Sequence, residues 1–282
     1  MTQKPKNTLL VLCMSIKKAF HLMNYREINS TQNEHIKLLA KLKEKKYRKE
    51  FNLALIEGWN IIDEALQQNI VVEILTTKVN QPKLKNFNNI LLTIVPELIL
   101  TKLSQSKNSQ NIIGVIYLTK VKEQNNFQFN QNILLLENIQ DPGNVGTLIR
   151  TGLGFGFTNI ILYNQTVDLF NDKVLRASQG AIFKVAIKEI GLNEIKNFQL
   201  NQYKIITTGL NQKSVYLQDC QFKQNDRYIL ALGNEGHGLS TTLQEISDYN
   251  VQIKINSQLE SLNVAQAGTI LMYEINRQME EK

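Results

Sequence analysis

The sequence predicts an α/β protein of two domains, because apolar stretches of strand length alternate with amphipathic stretches of helix length along most of the chain. The length of 282 residues is sufficient for two cores, and a hydrophobic content of 43% excludes a wholly disordered chain. Residues 122–131 are polar and rich in Asn and Gln, which predicts a linker. We therefore expect an N-terminal extension over residues 1–25, a small α/β domain over residues 26–121 and a second α/β domain over residues 132–282.

In the first domain the predicted helices and strands follow one another closely. Residues 31–50 carry an apolar stripe beside a basic run, which predicts a helix. Pro96 fits the first turn of another helix over residues 96–103. The other predicted elements are strands over residues 52–58, 71–75, 89–95 and 112–118, and a helix over residues 59–66.

The second domain consists of repeated strand–loop–helix units, which imply a mostly parallel sheet with helices on both faces. We expect Asn144 to lie at or near the N-cap of the first helix and Gly156 to end it. The predicted strands cover residues 133–137, 159–162, 184–187, 203–208, 228–232 and 251–255, and the predicted helices cover residues 144–155, 172–182 and 263–277. Ligands of such sheets bind outside the carboxyl ends of the strands, so the loops that follow strands are the candidate sites.

Positive charge is concentrated in the first half of the chain. Residues 1–120 contain 18 Lys and Arg against 9 Asp and Glu, whereas residues 121–282 contain 14 against 16. A dense basic run can be a solvated helix face, but this asymmetry favours a surface for a polyanion such as RNA. The side chains that we predict to contact RNA are Lys41, Lys43, Lys45, Lys46 and Arg48.

The two cysteines, Cys13 and Cys220, lie far apart in sequence and have no metal-ligand spacing. This pattern predicts neither a disulfide framework nor a metal site, and it favours a reducing, cytoplasmic location. The apolar stretch over residues 9–14 is too short to span a membrane, so no membrane partner is expected.

Three loops at one edge of the predicted sheet carry the residues of the candidate site. They are Asn144 and Arg150 in the first loop, Gly233, Glu235 and Gly238 in the second, and Ser261, Leu262, Asn263 and Val264 in the third. These loops resemble the three motifs of the SpoU/TrmH family of RNA ribose 2′-O-methyltransferases, in which an Asn precedes an Arg by six residues, a second loop reads G-x-E-x-x-G, and a third ends in S-L-N-V. The resemblance covers residues 132–282, and residues 26–118 resemble the family's RNA-binding domain more loosely.

The resemblance implies a SPOUT fold, in which the parallel sheet contains a deep trefoil knot, and S-adenosyl-L-methionine as the cofactor. It also implies a homodimer, with no metal and no DNA partner. The expected activity is methyl transfer to a ribose 2′-hydroxyl of structured RNA, with rRNA favoured over tRNA because a separate RNA-binding domain comes first.

The resemblance also assigns the site residues. Arg150 is expected to act on the 2′-hydroxyl or the neighbouring phosphate, because a weakly acidic hydroxyl needs a cation to stabilise its developing negative charge. The other residues expected in the catalytic pocket are Asn144, Glu235, Ser261 and Asn263. The residues expected at the cofactor are Thr208, Gly209, Leu232, Gly233, Gly238, Ile253, Leu262 and Asn263.

Two other functions fit parts of the sequence: a non-catalytic RNA-binding protein of the same fold, and a SPOUT enzyme that methylates a base. The intact motif residues argue against the first, and Arg150 together with the S-L-N-V ending favours ribose over base. The chain departs from the family at Lys254, where Pro is usual, and at Ser257, where Gly is usual. We expect cofactor binding to persist, because these positions act mostly through their backbone.

Overall fold

The computed structural model describes residues 25–81, 90–106, 109–124, 126–164, 167–209 and 214–280. The chain divides into two compact units, residues 1–123 and residues 124–282. The extension expected over residues 1–25 lies outside the described residues except for Tyr25, which begins the first strand. In the described part of the chain, no helix is long and apolar enough to cross a membrane.

The elements of the first unit are β1 (Tyr25–Glu27), α1 (Glu34–Lys41), α2 (Lys45–Phe51), β2 (Leu53–Glu57), α3 (Trp59–Gln67), β3 (Val71–Thr76), β4 (Leu91–Ile94), α4 (Glu97–Leu103), β5 (Ile112–Tyr117) and α5 (Leu118–Gln124). The first residues of the expected linker are therefore helical. The strands form a mixed five-stranded sheet of order β1-β4-β3-β5-β2. Strands β1, β3 and β4 run parallel, whereas β5 is antiparallel to its neighbours β2 and β3.

The basic run is not one helix, because the chain turns between α1 and α2. Arg48 of α2 is buried, and its guanidinium donates to the carbonyl oxygens of Leu42 and Lys43, both at 2.7 Å. The prediction that Arg48 contacts RNA is therefore wrong, since this side chain ties α2 to the end of α1. Lys43 also donates to a carbonyl, that of Ser104, at 2.9 Å.

A buried acid cluster of Arg26, His35, Glu73 and Thr93 lies within the first unit. Glu73 on β3 is only 2% exposed, and its carboxylate accepts from the Arg26 guanidinium at 2.7 Å, from His35 Nε2 at 2.8 Å and from the Thr93 hydroxyl. Burial raises the pKa of Glu73, but His35 and Arg26 outweigh it and hold that pKa at about 2. The cluster therefore keeps a charged carboxylate inside the sheet with its acceptors satisfied.

The elements of the second unit are β6 (Ile133–Glu137), α6 (Pro142–Gly154), β7 (Asn159–Tyr163), α7 (Asp172–Ser178), β8 (Ala186–Glu189), α8 (Leu192–Leu200), β9 (Tyr203–Thr208), β10 (Val215–Tyr216), β11 (Arg227–Leu232), α9 (Thr241–Glu245), β12 (Tyr249–Gln252) and α10 (Val264–Glu280). The predicted parallel sheet is confirmed, since seven strands of order β10-β12-β9-β11-β6-β7-β8 run in one direction. The trefoil knot is consistent with this topology and stays a prediction.

Helix α6 is held tightly in the second unit, packed against α7 and α10. Gly146 makes this packing possible, because a Cβ at that position would lie 2.5 Å from the Ala177 Cβ and 2.6 Å from the Val174 carbonyl oxygen. The close approach of α6 and α7 fixes the loop before α6, which follows β6 at the carboxyl edge of the sheet.

Candidate active site

The first predicted loop enters α6 through Asp141. The Asp141 Oδ1 accepts from the Asn144 backbone N–H at 2.8 Å, and Pro142 occupies the first turn. Asn144 therefore lies near the N-cap of this helix, as predicted, but Asp141 supplies the capping oxygen. The side chain of Asn144 is instead available to the other loops.

An amide cluster of Asn144, Glu235 and Asn263 joins the three predicted loops. Asn144 Nδ2 donates to Glu235 Oε1 at 2.9 Å, and Asn263 Nδ2 donates to Asn144 Oδ1 at 3.0 Å. The Glu235 carboxylate also accepts from the backbone N–H groups of Gln140 and Asp141, each at 3.4 Å. Glu235 and Asn263 are exposed and Asn144 is half-buried, so the cluster is open to solvent.

Asn263 also caps helix α10, which fixes the orientation of its amide. The Asn263 Oδ1 accepts from the backbone N–H groups of Ala265 at 2.9 Å and Gln266 at 3.3 Å. Because the oxygen faces the helix, the amide nitrogen faces Asn144. The start of α10 thereby positions one end of the amide cluster.

The second loop folds back on itself at Gly233 and Gly238, two of its three glycines. A Cβ on Gly233 would lie 2.4 Å from the carbonyl carbon of Gly238, and Gly238 has a φ of +67°. Asn234, which the sequence did not single out, donates to the Asn138 carbonyl at 3.0 Å and pairs with Gly238 in an isolated bridge. The glycines therefore shape the loop that presents Glu235.

Glu137 at the end of β6 is a second residue that sequence reasoning missed. It is 3% exposed, and its carboxylate accepts from the Ser240 backbone N–H at 2.8 Å and from Asn164 Nδ2 at 2.9 Å. It thus fixes the loop after β11 to the end of β6. The available signal was an acidic residue at the end of an otherwise apolar strand, four residues before Asp141 of the first motif.

A cavity of about 430 Å³ lies at the carboxyl ends of β9 and β12. It brings together five of the predicted site residues: Thr208, Gly209, Ile253, Ser261 and Leu262. Strand β12 ends at Gln252, so the strand predicted over residues 251–255 is too long and residues 253–255 line the cavity as coil. Lining residues that the sequence did not identify include Tyr216, Ile255, Leu259, Glu260 and Leu271.

The other predicted cofactor residues, Leu232, Gly233, Gly238 and Asn263, do not line this cavity. Leu232 is 1% exposed and belongs to the core. Asn263 directly follows Leu262, so the amide cluster and the cavity adjoin along the chain. The described residues contain no group of His, Cys, Asp or Glu arranged to hold a metal ion.

Arg150 is exposed on α6. Six residues along a helix place it roughly 9 Å along the axis from Asn144 and about 120° around it. Over the ranges that the structure describes, Arg150 has neither an ion pair nor a side-chain hydrogen bond. Its positive charge is therefore not neutralised by a neighbouring side chain.

The chain is similar to known RNA-modifying proteins along most of its length. Residues 131–273 match the SpoU rRNA Methylase family, and residues 33–114 match the MRM3-like substrate binding domain. The 23S rRNA (guanosine(2553)-2'-O)-methyltransferase RlmP of Bacillus subtilis is 31% identical over 252 residues, which cover 89% of this chain and 99% of that protein.

Two further similarities agree with this match. The 23S rRNA (uridine(2479)-2'-O)-methyltransferase of Streptomyces viridochromogenes is 28% identical over 153 residues, or 51% of this chain and 52% of that protein. The crystal structure of an AdoMet-bound rRNA methyltransferase from Sinorhizobium meliloti has a TM-score of 0.79 at 25% identity, covering 92% of this chain and all of that one.

Proposed function

The chain belongs to the SpoU rRNA methylase family, and from this premise we infer that it transfers a methyl group from S-adenosylmethionine to a ribose 2′-hydroxyl of ribosomal RNA. It is a methyltransferase. The single observation that carries the inference is the continuity of Ser261, Leu262 and Asn263: the first two line the cavity and the third belongs to the amide cluster. A cofactor in the cavity would therefore lie beside the polar groups that can meet a ribose.

The cavity fits S-adenosylmethionine in size and chemistry. A volume of about 430 Å³ lies within the usual range for small-molecule sites, and aliphatic side chains such as Ile253 and Leu262 suit a purine. Beside Gly209 lies the buried amide of Asn250, whose oxygen and nitrogen have no hydrogen-bond partner among the described residues. Thr208, Gly209, Ile253 and Leu262 would hold this cofactor, which when bound supplies a methyl group activated on a sulfonium.

The protein's own side chains orient the hydroxyl and stabilise charge. A 2′-hydroxyl is a weak acid, so negative charge that develops on its oxygen needs a nearby cation. Arg150 supplies that charge without losing its own proton, since a guanidinium stays protonated. Asn144, Glu235, Ser261 and Asn263 form the polar surroundings that orient the ribose.

Ribosomal RNA is the substrate class that we favour, with tRNA as the alternative. The match to a substrate-binding domain over residues 33–114 supports a dedicated RNA-binding unit. Lys41, Lys45 and Lys46 are exposed there, and the first half of the chain carries the excess of positive charge. A steep fall of RNA affinity with salt is expected, because phosphate contacts release counterions.

The test is methylation of ribosomal RNA from a strain that lacks this gene, with a labelled methyl donor. Alkaline hydrolysis distinguishes the products, because a 2′-O-methylated nucleotide cannot be cleaved at its own linkage. Label in alkali-stable dinucleotides is the expected result. Label in mononucleotides indicates a base methyltransferase, and no incorporation into ribosomal or transfer RNA indicates a non-catalytic RNA-binding protein.

We also propose a homodimer, as the resemblance implies. Support comes from two large apolar side chains on the outer face of α10: Ile270 is 40% exposed and Tyr273 is 53% exposed, with the Tyr273 ring packed against Phe155 just after α6. Light scattering at micromolar concentration should give twice the chain mass, and a monomer mass would contradict the proposal. The cytoplasmic location stays a prediction.

A further inference from the structure

Tyr216 is an aromatic side chain at the wall of the cofactor cavity that the proposed function does not yet use. It is 42% exposed, and it lines the cavity formed by Gly209, Ile253 and Leu262. The described residues provide no aromatic or cationic partner for its ring. When a flat ligand covers a half-exposed aromatic ring beside a cavity, the burial of both faces stabilises the complex.

The local structure holds Tyr216 at this place. Strand β10 has only two residues and pairs in parallel with β12, where Tyr216 is in register with Gln252. On one side the Ser214 hydroxyl donates to the Gly209 carbonyl at 2.8 Å, and on the other Leu217 is 8% exposed and anchors the chain in the core. The ring is therefore positioned from both ends of a short edge strand.

Among the described residues, the rest of the cavity wall consists of aliphatic and polar side chains and contains no second aromatic ring. Ile253, Ile255, Leu259 and Leu262 line it, and Lys254 and Glu260 are its only charged lining residues among those described. A purine is the part of the cofactor that combines a large flat face with little charge. Stacking on an aromatic ring is the interaction that such a face prefers.

We propose that the ring of Tyr216 stacks on the adenine of S-adenosylmethionine and is a determinant of cofactor affinity. This inference rests on the proposed function, since it takes the cavity to be the cofactor site. It assigns the binding role to the aromatic face and not to the hydroxyl. Replacement of Tyr216 by phenylalanine should therefore preserve the affinity for the cofactor, whereas replacement by an aliphatic residue of similar bulk should lower it.

The experiment is calorimetric titration of the full-length chain with S-adenosylhomocysteine, which has the same adenine and does not turn over. Tyr216→Leu should bind at least about tenfold more weakly, as expected for loss of one base–aromatic stack. Tyr216→Phe should stay within about threefold of the wild type, because it keeps the ring. The matched control is Val215→Ala, since Val215 is on the same strand, is 46% exposed and does not line the cavity.

A second titration uses adenosine alone, whose affinity should fall by the same factor in Tyr216→Leu. Wild-type affinity in Tyr216→Leu, a Phe variant as weak as the Leu variant, or a Val215→Ala variant equally weakened would each overturn the assignment. An adenosine affinity that does not change would also overturn it. A wild-type chain that binds no S-adenosylhomocysteine would overturn the proposed function as well.

Discussion

The buried acid cluster of the first unit and the amide cluster of the second are both small polar groups joined by hydrogen bonds, but their surroundings are opposite. Glu73 is 2% exposed, and Arg26, His35 and Thr93 satisfy its oxygens from inside the unit. Glu235 is exposed, and the groups that bind it come from loops at the carboxyl edge of a parallel sheet.

The difference shows how two similar clusters take different roles. A buried carboxylate must be partnered, and removal of one partner is costly because a charge is left uncompensated in the interior. An exposed polar cluster contributes little to stability, because water competes for the same groups. The buried acid cluster is therefore expected to determine the stability of the first unit, and the amide cluster is expected to determine the rate of methyl transfer.

The largest effect on the methylation rate is expected from Arg150, which is exposed in the second unit like the amide cluster. Arg150→Ala should lower the single-turnover rate of rRNA methylation by about 10²–10³, because it removes one group that stabilises developing charge. Affinity for S-adenosylhomocysteine should be nearly unchanged. Arg176→Ala is the control, since Arg176 is also a helical surface arginine and pairs with Asp172. A near-normal rate in Arg150→Ala would remove this residue from the mechanism.

On the buried side, Glu73→Gln should lower the free energy of unfolding by about 3 kcal/mol at neutral pH, because it leaves the Arg26 charge without its counter-charge. Denaturant titration measures this change. The control is Glu34→Gln, which removes an exposed pair with Lys37 and should have no measurable effect. Methylation by the folded Glu73 variant should be normal, and an unchanged stability would contradict the role of the cluster.

The same residue predicts a pH dependence with a definite sign. The folded-state pKa of Glu73 is about 2, below the ordinary value of 4.5, so its charged form stabilises the folded protein. This contribution is fully present above about pH 4.5 and is lost as the pH falls toward 2. The free energy of unfolding, measured by denaturant titration between pH 4.5 and 2, should therefore fall more for the wild type than for Glu73→Gln. Equal falls in the two proteins would contradict the ion pairing of Glu73.

A smaller effect is expected from the exposed lysines of the first unit. Replacing Lys41, Lys45 and Lys46 by Gln should weaken RNA binding and reduce the slope of log affinity against log salt by up to roughly 0.7–0.9 for each phosphate that is no longer neutralised. Lys43→Gln is compared separately, because the Lys43 ammonium keeps its charge but donates to the Ser104 carbonyl, and this variant should reduce the slope less than replacement of a fully exposed lysine. An unchanged slope in the triple variant would show that the run is only a solvated helix face.

Sequence reasoning identified side chains that the structure brings together where the signal lies in short motifs. It failed where the outcome depends on the direction in which a side chain points. The parallel sheet was predictable from repeated strand–helix units, and Asn144, Glu235 and Asn263 from three loops in order. The burial of Arg48 was not predictable, because the basic run does not reveal which of its side chains faces the carbonyl groups at the end of α1.

Contacts that join distant segments were also not predictable. Glu73 meets His35 38 positions away, and nothing local marks either residue. The cavity wall includes Tyr216 from a two-residue strand that carries almost no sequence signal. Such contacts depend on strand order and register, which the pattern of one sequence leaves open.

The most direct test of the account is to separate chemistry from stability in the amide cluster itself. Asn144→Ala removes the side chain that links Glu235 to Asn263 and leaves the Asp141 cap in place. Three quantities should be measured on the same preparation: the single-turnover rate on ribosomal RNA, the affinity for S-adenosylhomocysteine, and the free energy of unfolding. We predict that the rate falls at least about tenfold while affinity and stability stay near wild type. A wild-type rate, or a loss of rate fully explained by unfolding, would contradict the claim that this exposed cluster serves catalysis.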